Sequence, residues 1–125
     1  MNNNMLAEIK PIFRNETELQ SYIFKRIWNE VPKSRRLIWA VPNGAKRTRF
    51  EQIIAKATGV IAGVFDLHCY YKGKFYIIEL KFGKNTKSKE QKEWEKLMIE
   101  QGAISYTFYE TQVDELFLTI KKIFE

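Results

Sequence analysis

Two carboxylates and one amine, Asp66, Glu79 and Lys81, fall within the stretch GVFDLHCYYKGKFYIIELK at residues 63–81. Aromatic and β-branched residues dominate both arms of it, and Lys72-Gly73 lies between them, so it reads as two β-strands joined by a tight turn. Pairing the arms across that turn sets Tyr71 against Lys74, Tyr70 against Phe75, Cys69 against Tyr76, His68 against Ile77 and Leu67 against Ile78. One step further, Asp66 faces Glu79. Acids directly opposite would have Cβ atoms roughly 4.5–5.5 Å apart and repel. Side chains alternate along a strand, so Glu79 and Lys81 share a face. Two acids and an amine on one surface make physical sense with a divalent cation between the acids.

A lone Glu-x-Lys on an amphipathic strand is ordinarily a solvated ion-pair face. The opposed aspartate argues against that here, because a solvent-facing strand gains nothing from acids in register. Leu67, Ile77, Ile78 and Leu80 make the strands read as central, and a charged cluster at the end of a buried strand pair is costly unless compensated. His68 points to the same face as Asp66, either as a neighbour of the site or as a partly buried strand histidine.

The elements that position these residues follow from apolar spacing. Residues 16–29 read helical through Leu19, Ile23 and Ile27, and Pro32 ends the helix. Residues 37–41 form a short strand closed by the Pro42-Asn43-Gly44 turn. Residues 46–58 carry Phe50, Ile53, Ile54 and Ala57 at i, i+3, i+4 and i+7, an amphipathic helix stopped by Gly59. After the hairpin, Ser88 and Gln91 match a capping box. They open a helix with Trp94, Leu97 and Met98 on one face and Gly102 as its stop. Residues 105–109 alternate as a strand, and residues 111–124 form a last helix with Val113, Leu116, Phe117, Ile120 and Phe124 inward. The order α-β-α-β-β-α-β-α predicts an α/β fold, a small mixed β-sheet flanked by helices. The 125 residues suit a single domain, with residues 1–15 as an N-terminal arm.

Composition narrows the chemistry. With 21 basic against 15 acidic residues, the net charge of +6 is the footprint of a protein that approaches polyanions. The single histidine excludes nucleases that need paired histidines and histidine-rich zinc sites. No Walker loop or G-x-G-x-x-G is present, which argues against nucleotide hydrolysis. The one cysteine, Cys69, leaves no internal disulfide and reads as a small core residue. The polar start Met-Asn-Asn-Asn and the short apolar runs predict a soluble, cytoplasmic protein without membrane association.

In combination these features resemble the VRR-NUC (virus-type replication-repair nuclease) domain of the PD-(D/E)xK nuclease superfamily. The resemblance runs from about Glu16 to Gly102. It rests on the Glu-bearing first helix, Val41-Pro42-Asn43-Gly44, Gly63-Val64-Phe65-Asp66-Leu67, Ile78-Glu79-Leu80-Lys81, and Gln91 with Trp94. Phe65 stands where the family usually has proline, a residue that fixes backbone and does no chemistry. The resemblance implies a restriction-endonuclease-like core and metal-dependent hydrolysis of DNA phosphodiester bonds, leaving 5′-phosphate and 3′-hydroxyl ends. It also implies a helix glutamate near the metal: Glu16, with Glu18 as the alternative. Gln91 would then be a capping residue, an active-site support, or both.

On that reading Asp66, Glu79 and the Leu80 carbonyl hold one or two Mg²⁺ ions, for which Mn²⁺ substitutes. Lys81 contacts the attacking water or the scissile phosphate. The clusters Lys33, Arg35 and Arg36; Lys46, Arg47 and Arg49; and Lys84, Lys87 and Lys89 would grip phosphates. The alternatives are a binding module without catalysis, which would not need the Asp…Glu-x-Lys set, and a protein-interaction factor. Stand-alone domains of this kind suggest a homodimer acting on branched DNA such as four-way junctions. Trp28, Trp39, Phe108, Phe117 and Phe124 are candidates for either its interface or the core.

Overall fold

A computed structural model describes residues 11–42 and 48–125. Helix α1 (Glu16–Glu30) starts where Asn15 accepts the Glu18 backbone N–H at 2.9 Å and buries Leu19, Ile23 and Ile27, its i, i+4, i+8 stripe. A 3₁₀ turn at Pro32–Ser34 leads into strand β1 (Ile38–Ala40), shorter than the five residues expected. Helix α2 (Arg49–Ala57) follows, capped by a Thr48–Glu51 box. Strands β2 (Leu67–Tyr71) and β3 (Lys74–Lys81) form the hairpin. Its turn residues Lys72 and Gly73 both have positive φ, 49° and 78°, the mirror-image turn that suits the twist of paired strands. The pairing runs from Leu67 against Ile78 to Tyr71 against Lys74, the expected register.

Helix α3 (Lys89–Glu100) then crosses to strand β4 (Ile104–Tyr109), and a 3₁₀ turn at Glu110–Gln112 opens helix α4 (Val113–Ile123). The sheet order is β1-β2-β3-β4, antiparallel throughout except for the parallel β3–β4 pair that α3 connects. The architecture is the mixed α/β sheet expected from the element order.

Alternation gives the sheet two unlike faces. Ile38, Leu67, Cys69, Tyr76, Ile78, Leu80 and Phe108 pack with the buried stripes of α1 and α4 into one core. Burial pushes the Cys69 thiol up to about 12, so it is an inert core group. The opposite face carries His68, Ile77, Glu79 and Lys81, and α3 lies over it through Trp94.

The apolar faces of two helices are not wholly buried. Phe50, Ile53 and Ile54 of α2 do not face the core: no residue of that helix is buried. A 3.6-residue period shows that a helix has an apolar side, not that this side meets its own domain. In α3, Trp94 and Met98 are half-buried, but Leu97 is exposed. Of the five aromatic residues open to either role, Phe108, Phe117 and Phe124 are core, whereas Trp28 and Trp39 remain exposed. The turn residues Asn43 and Gly44, and Lys46 and Arg47, lie outside the described residues.

Candidate active site

Asp66 immediately precedes β2, and Glu79 lies opposite it near the end of β3. The two are laced together by each other's backbone. The Asp66 N–H donates to Glu79 Oε1 at 3.2 Å, and the Leu80 N–H donates to Asp66 Oδ2 at 2.9 Å. These bonds fix both carboxylates side by side where free side chains of like charge would turn apart.

Lys81, one pleat on, returns to the same face and is clasped from two sides. Its Nζ lies 3.1 Å from Glu79 Oε2 and donates to Gln91 Oε1 at 3.0 Å. The Gln91 Nε2 donates to Glu79 Oε2 at 2.6 Å, which closes a ring of three side chains. Glu79 and Lys81 are both buried, at 2% and 7% exposure, while Asp66 is half-buried and sits at the opening. Burial, then the charge of Asp66, drives the Glu79 carboxyl up to about 7 against the downward pull of Lys81. One lysine does not neutralise two acids at this depth, so the site holds an excess of negative charge once both ionise.

Gln91 caps α3 and reaches Glu79 and Lys81 at the same time. As the third residue of α3 its Oε1 accepts the Ser88 N–H at 2.9 Å, and its own N–H donates to Ser88 Oγ at 3.1 Å. The capping box therefore delivers the amide to the acids. The approach of α3 depends on Gly63: a Cβ there would lie 2.4 Å from the carbonyl carbon and oxygen of Glu90, at a φ of +87°. Only glycine fits both the backbone angle and the space.

Behind the acids lies an aromatic layer. Trp94 stacks on His68 at 5.4 Å and packs on Phe65 at 5.3 Å, and Phe75 meets His68 edge-on at 5.6 Å. His68 Nε2 is buried without a hydrogen-bond partner among the described residues. Burial lowers the His68 pKa, despite a hydrogen bond to the Phe65 backbone, so the ring is neutral at pH 7. It is thus the partly buried strand histidine of the two readings.

The remaining site residues fall into place unevenly. Glu18 is paired with Arg14 at 2.7 Å, and Glu16 is half-buried at the start of α1. Neither joins Asp66 and Glu79 in a metal cage: no cluster of three or more His, Cys, Asp or Glu forms among the described residues. Arg49 and Lys84 are exposed. Lys87 is held by Glu95 through bonds of 2.8 and 3.0 Å. Ser105 also donates to Glu95. Burial alone would raise the Glu95 carboxyl, but the bonds from Lys87 and Ser105 and the Lys87 charge outweigh it and hold it below the ordinary range. Glu95 escapes motif reading, yet it lies four residues after Gln91 and so on the same face of α3.

No protein-family model matches the chain, and neither does any curated protein. Among solved structures, it matches a "VRR_NUC domain protein" with a TM-score of 0.66 and 21% identity, covering 92% of this chain and 90% of that one. The chain therefore has the fold of a VRR-NUC domain over nearly its whole length.

Proposed function

We propose that this chain is a metal-dependent deoxyribonuclease of the PD-(D/E)xK type, a VRR-NUC nuclease in activity as well as fold. The observation that carries the reading is the Asp66–Glu79 pair, held by reciprocal backbone bonds with Lys81 clasped beside it. A purely structural ion pair would need one acid, not two. The donor set also suits a hard cation: Asp66, Glu79 and the Leu80 carbonyl offer only oxygen, the ligand type of Mg²⁺.

When bound, Mg²⁺ (or Mn²⁺) would lower the pKa of a bound water and offset charge growing on the phosphate. The chain supplies the rest. Asp66, at the opening, and Glu79, beneath it, fix where positive charge can sit. Lys81 presents its ammonium beside them, where it can stabilise an anionic phosphate or orient water. Gln91 holds Lys81 and Glu79 in one geometry through its two amide atoms, and Ser88 holds Gln91. Exposed Arg49 and Lys84, with Lys46 and Arg47 in sequence beside Arg49 and Lys87 paired to Glu95, would track the DNA backbone.

A domain of this size carries one such site, and cutting both strands or a branched junction takes two. A homodimer acting on branched DNA in replication, recombination or repair is the corresponding assembly. The test is incubation of the purified chain with labelled linear, flapped and four-way DNA in Mg²⁺, Mn²⁺ or EDTA. The proposal expects cleavage with either metal and none with EDTA. Tight binding without cleavage under all three conditions would leave a binding module instead.

A further inference from the structure

The face of the sheet that carries the acids continues into a row of aromatic rings. Phe75, Ile77, Glu79 and Lys81 alternate along β3 and so share one side of the sheet. Tyr70 pairs with Phe75, and Ile77 with His68, which pairs in turn with Trp39. Trp39 and Tyr70 therefore lie on the active-site face, toward its β1 edge. Helix α3 covers the inner part of the row, where Trp94 stacks on His68. The outer part is open: Trp39 is 38% exposed and Tyr70 51%. Trp39 is steadied all the same by His68 and Phe75, with ring centroids 6.1 and 6.5 Å away. The open side of an antiparallel sheet ordinarily carries polar residues. Here two large rings, next to the acids, offer a flat surface to whatever lies over the site.

We infer that Trp39 and Tyr70 form a stacking platform for unpaired bases of a DNA strand whose phosphate lies at Asp66 and Glu79. The inference rests on the nuclease reading and names what that site selects. The row of Trp39 and Ile77 lies two residues from Glu79, about 7 Å along the strand, and the row of Tyr70 and Phe75 about 13 Å. Successive nucleotides of one strand are at least about 3.4 Å apart. A base within a few nucleotides of the cut thus falls over Trp39, and a later one over Tyr70. Every base has a π-face, so aromatic rings hold a strand without reading its sequence. Inside a duplex both faces of a base are covered by its neighbours, so only an unpaired stretch can use the platform. The net charge of +6 favours a polyanionic strand over other occupants of an aromatic surface. Trp39 and Tyr70 therefore select DNA that is single-stranded beside the scissile phosphate, as at a flap or a frayed junction arm.

The test is binding of a short labelled single strand, and of the blunt duplex of the same sequence, by the full chain in EDTA, where nothing is cut. Trp39→Ala/Tyr70→Ala should weaken the single strand by about 10-fold or more and leave the duplex within about twofold. Trp39→Phe/Tyr70→Phe, which keeps both rings, should hold the single strand within a few-fold of the natural chain. Equal losses on both DNAs, no loss on either, or a natural chain that binds no single strand would overturn the platform. Should the alanine variant misfold, indole fluorescence decides, because a base stacked on tryptophan quenches its emission. Saturating single strand should dim the natural chain, and Trp39→Phe should abolish most of that change; undiminished quenching in Trp39→Phe would contradict the stacking. Binding is read without cleavage, so the two readings fail separately. A chain that needs these rings to bind yet never cuts would refute the nuclease and leave the platform. A chain that cuts and binds equally well without them would do the reverse.

Discussion

Gln91 Nε2 lies 2.6 Å from Glu79 Oε2, while the other atom of the same amide receives Lys81 at 3.0 Å. One side chain thus orients both an acid and the amine, and it is itself oriented by the cap of α3. Gln91→Ala should lower the cleavage rate by about 10- to 100-fold, the range for losing a group that fixes charged partners. Ser88→Ala separates the roles: it removes a cap worth about 1 kcal/mol and leaves the amide clasp. A single-turnover assay should find Ser88→Ala within several-fold of the natural chain. Equal losses in both variants would reduce Gln91 to a capping residue.

Asp66 and Glu79 should destabilise the metal-free protein at alkaline pH. The Glu79 carboxyl is raised to about 7, so in the folded state it keeps its proton where an unfolded glutamate has lost it. Its contribution to stability therefore falls as pH rises from the ordinary glutamate range through about 7. Asp66→Asn keeps an oxygen for the Leu80 N–H but removes the opposing charge. In EDTA at pH 8 it should raise stability by about 1 kcal/mol, a few degrees in Tm. At pH 5, where Glu79 is protonated, the gain should vanish. A thermal melt showing the larger gain at pH 5 would contradict the cause assigned to the shift.

Gly63 should tolerate no side chain. Alanine there meets the Glu90 carbonyl group at 2.4 Å and a backbone angle of +87°. Gly63→Ala should cost about 2 kcal/mol or more, and it should impair cleavage by displacing the start of α3 and with it Gln91. Glycine at position 59, also at positive φ but with nothing within 4 Å, is the control. Gly59→Ala should lose stability through backbone strain alone and keep its activity. Activity unchanged in Gly63→Ala would detach the loop from the site.

DNA binding should be separable from chemistry. Replacing Arg47 and Arg49 by Ala should weaken binding and make its salt dependence shallower by roughly 0.9 log units for each phosphate that is no longer neutralised. An unchanged slope in a fluorescence-anisotropy titration would take the start of α2 out of the DNA path.

The hairpin was legible because its two-residue turn fixes register. Once Lys72-Gly73 is the turn, the pairs from Tyr71 against Lys74 to Leu67 against Ile78 follow, and Asp66 comes next to Glu79. The capping box was legible for a similar reason, since Ser88 and Gln91 interact within one turn of helix. The long-range partners were not. Periodicity gives α2 an apolar side but no direction, and here that side faces out. Nor does sequence show that Lys87, one of a run of basic residues, is bound to Glu95, which Ser105 holds in turn beneath α3. Glu16 and Glu18 were interchangeable by position, and among the described residues neither forms a cluster with the two acids that β2 and β3 bring together.

The central claim is that Asp66 and Glu79 are the acids through which this chain cuts DNA. The most direct measurement compares the natural chain with the double variant Asp66→Ala, Glu79→Ala, each purified and shown to be folded, on end-labelled DNA in Mg²⁺. The natural chain should cut, and EDTA should stop it. The double variant should lose cleavage by a factor on the order of 10³ or more, as expected when the groups that hold a catalytic metal are removed. Mg²⁺-dependent cleavage that persists in the double variant at the natural rate would contradict the site.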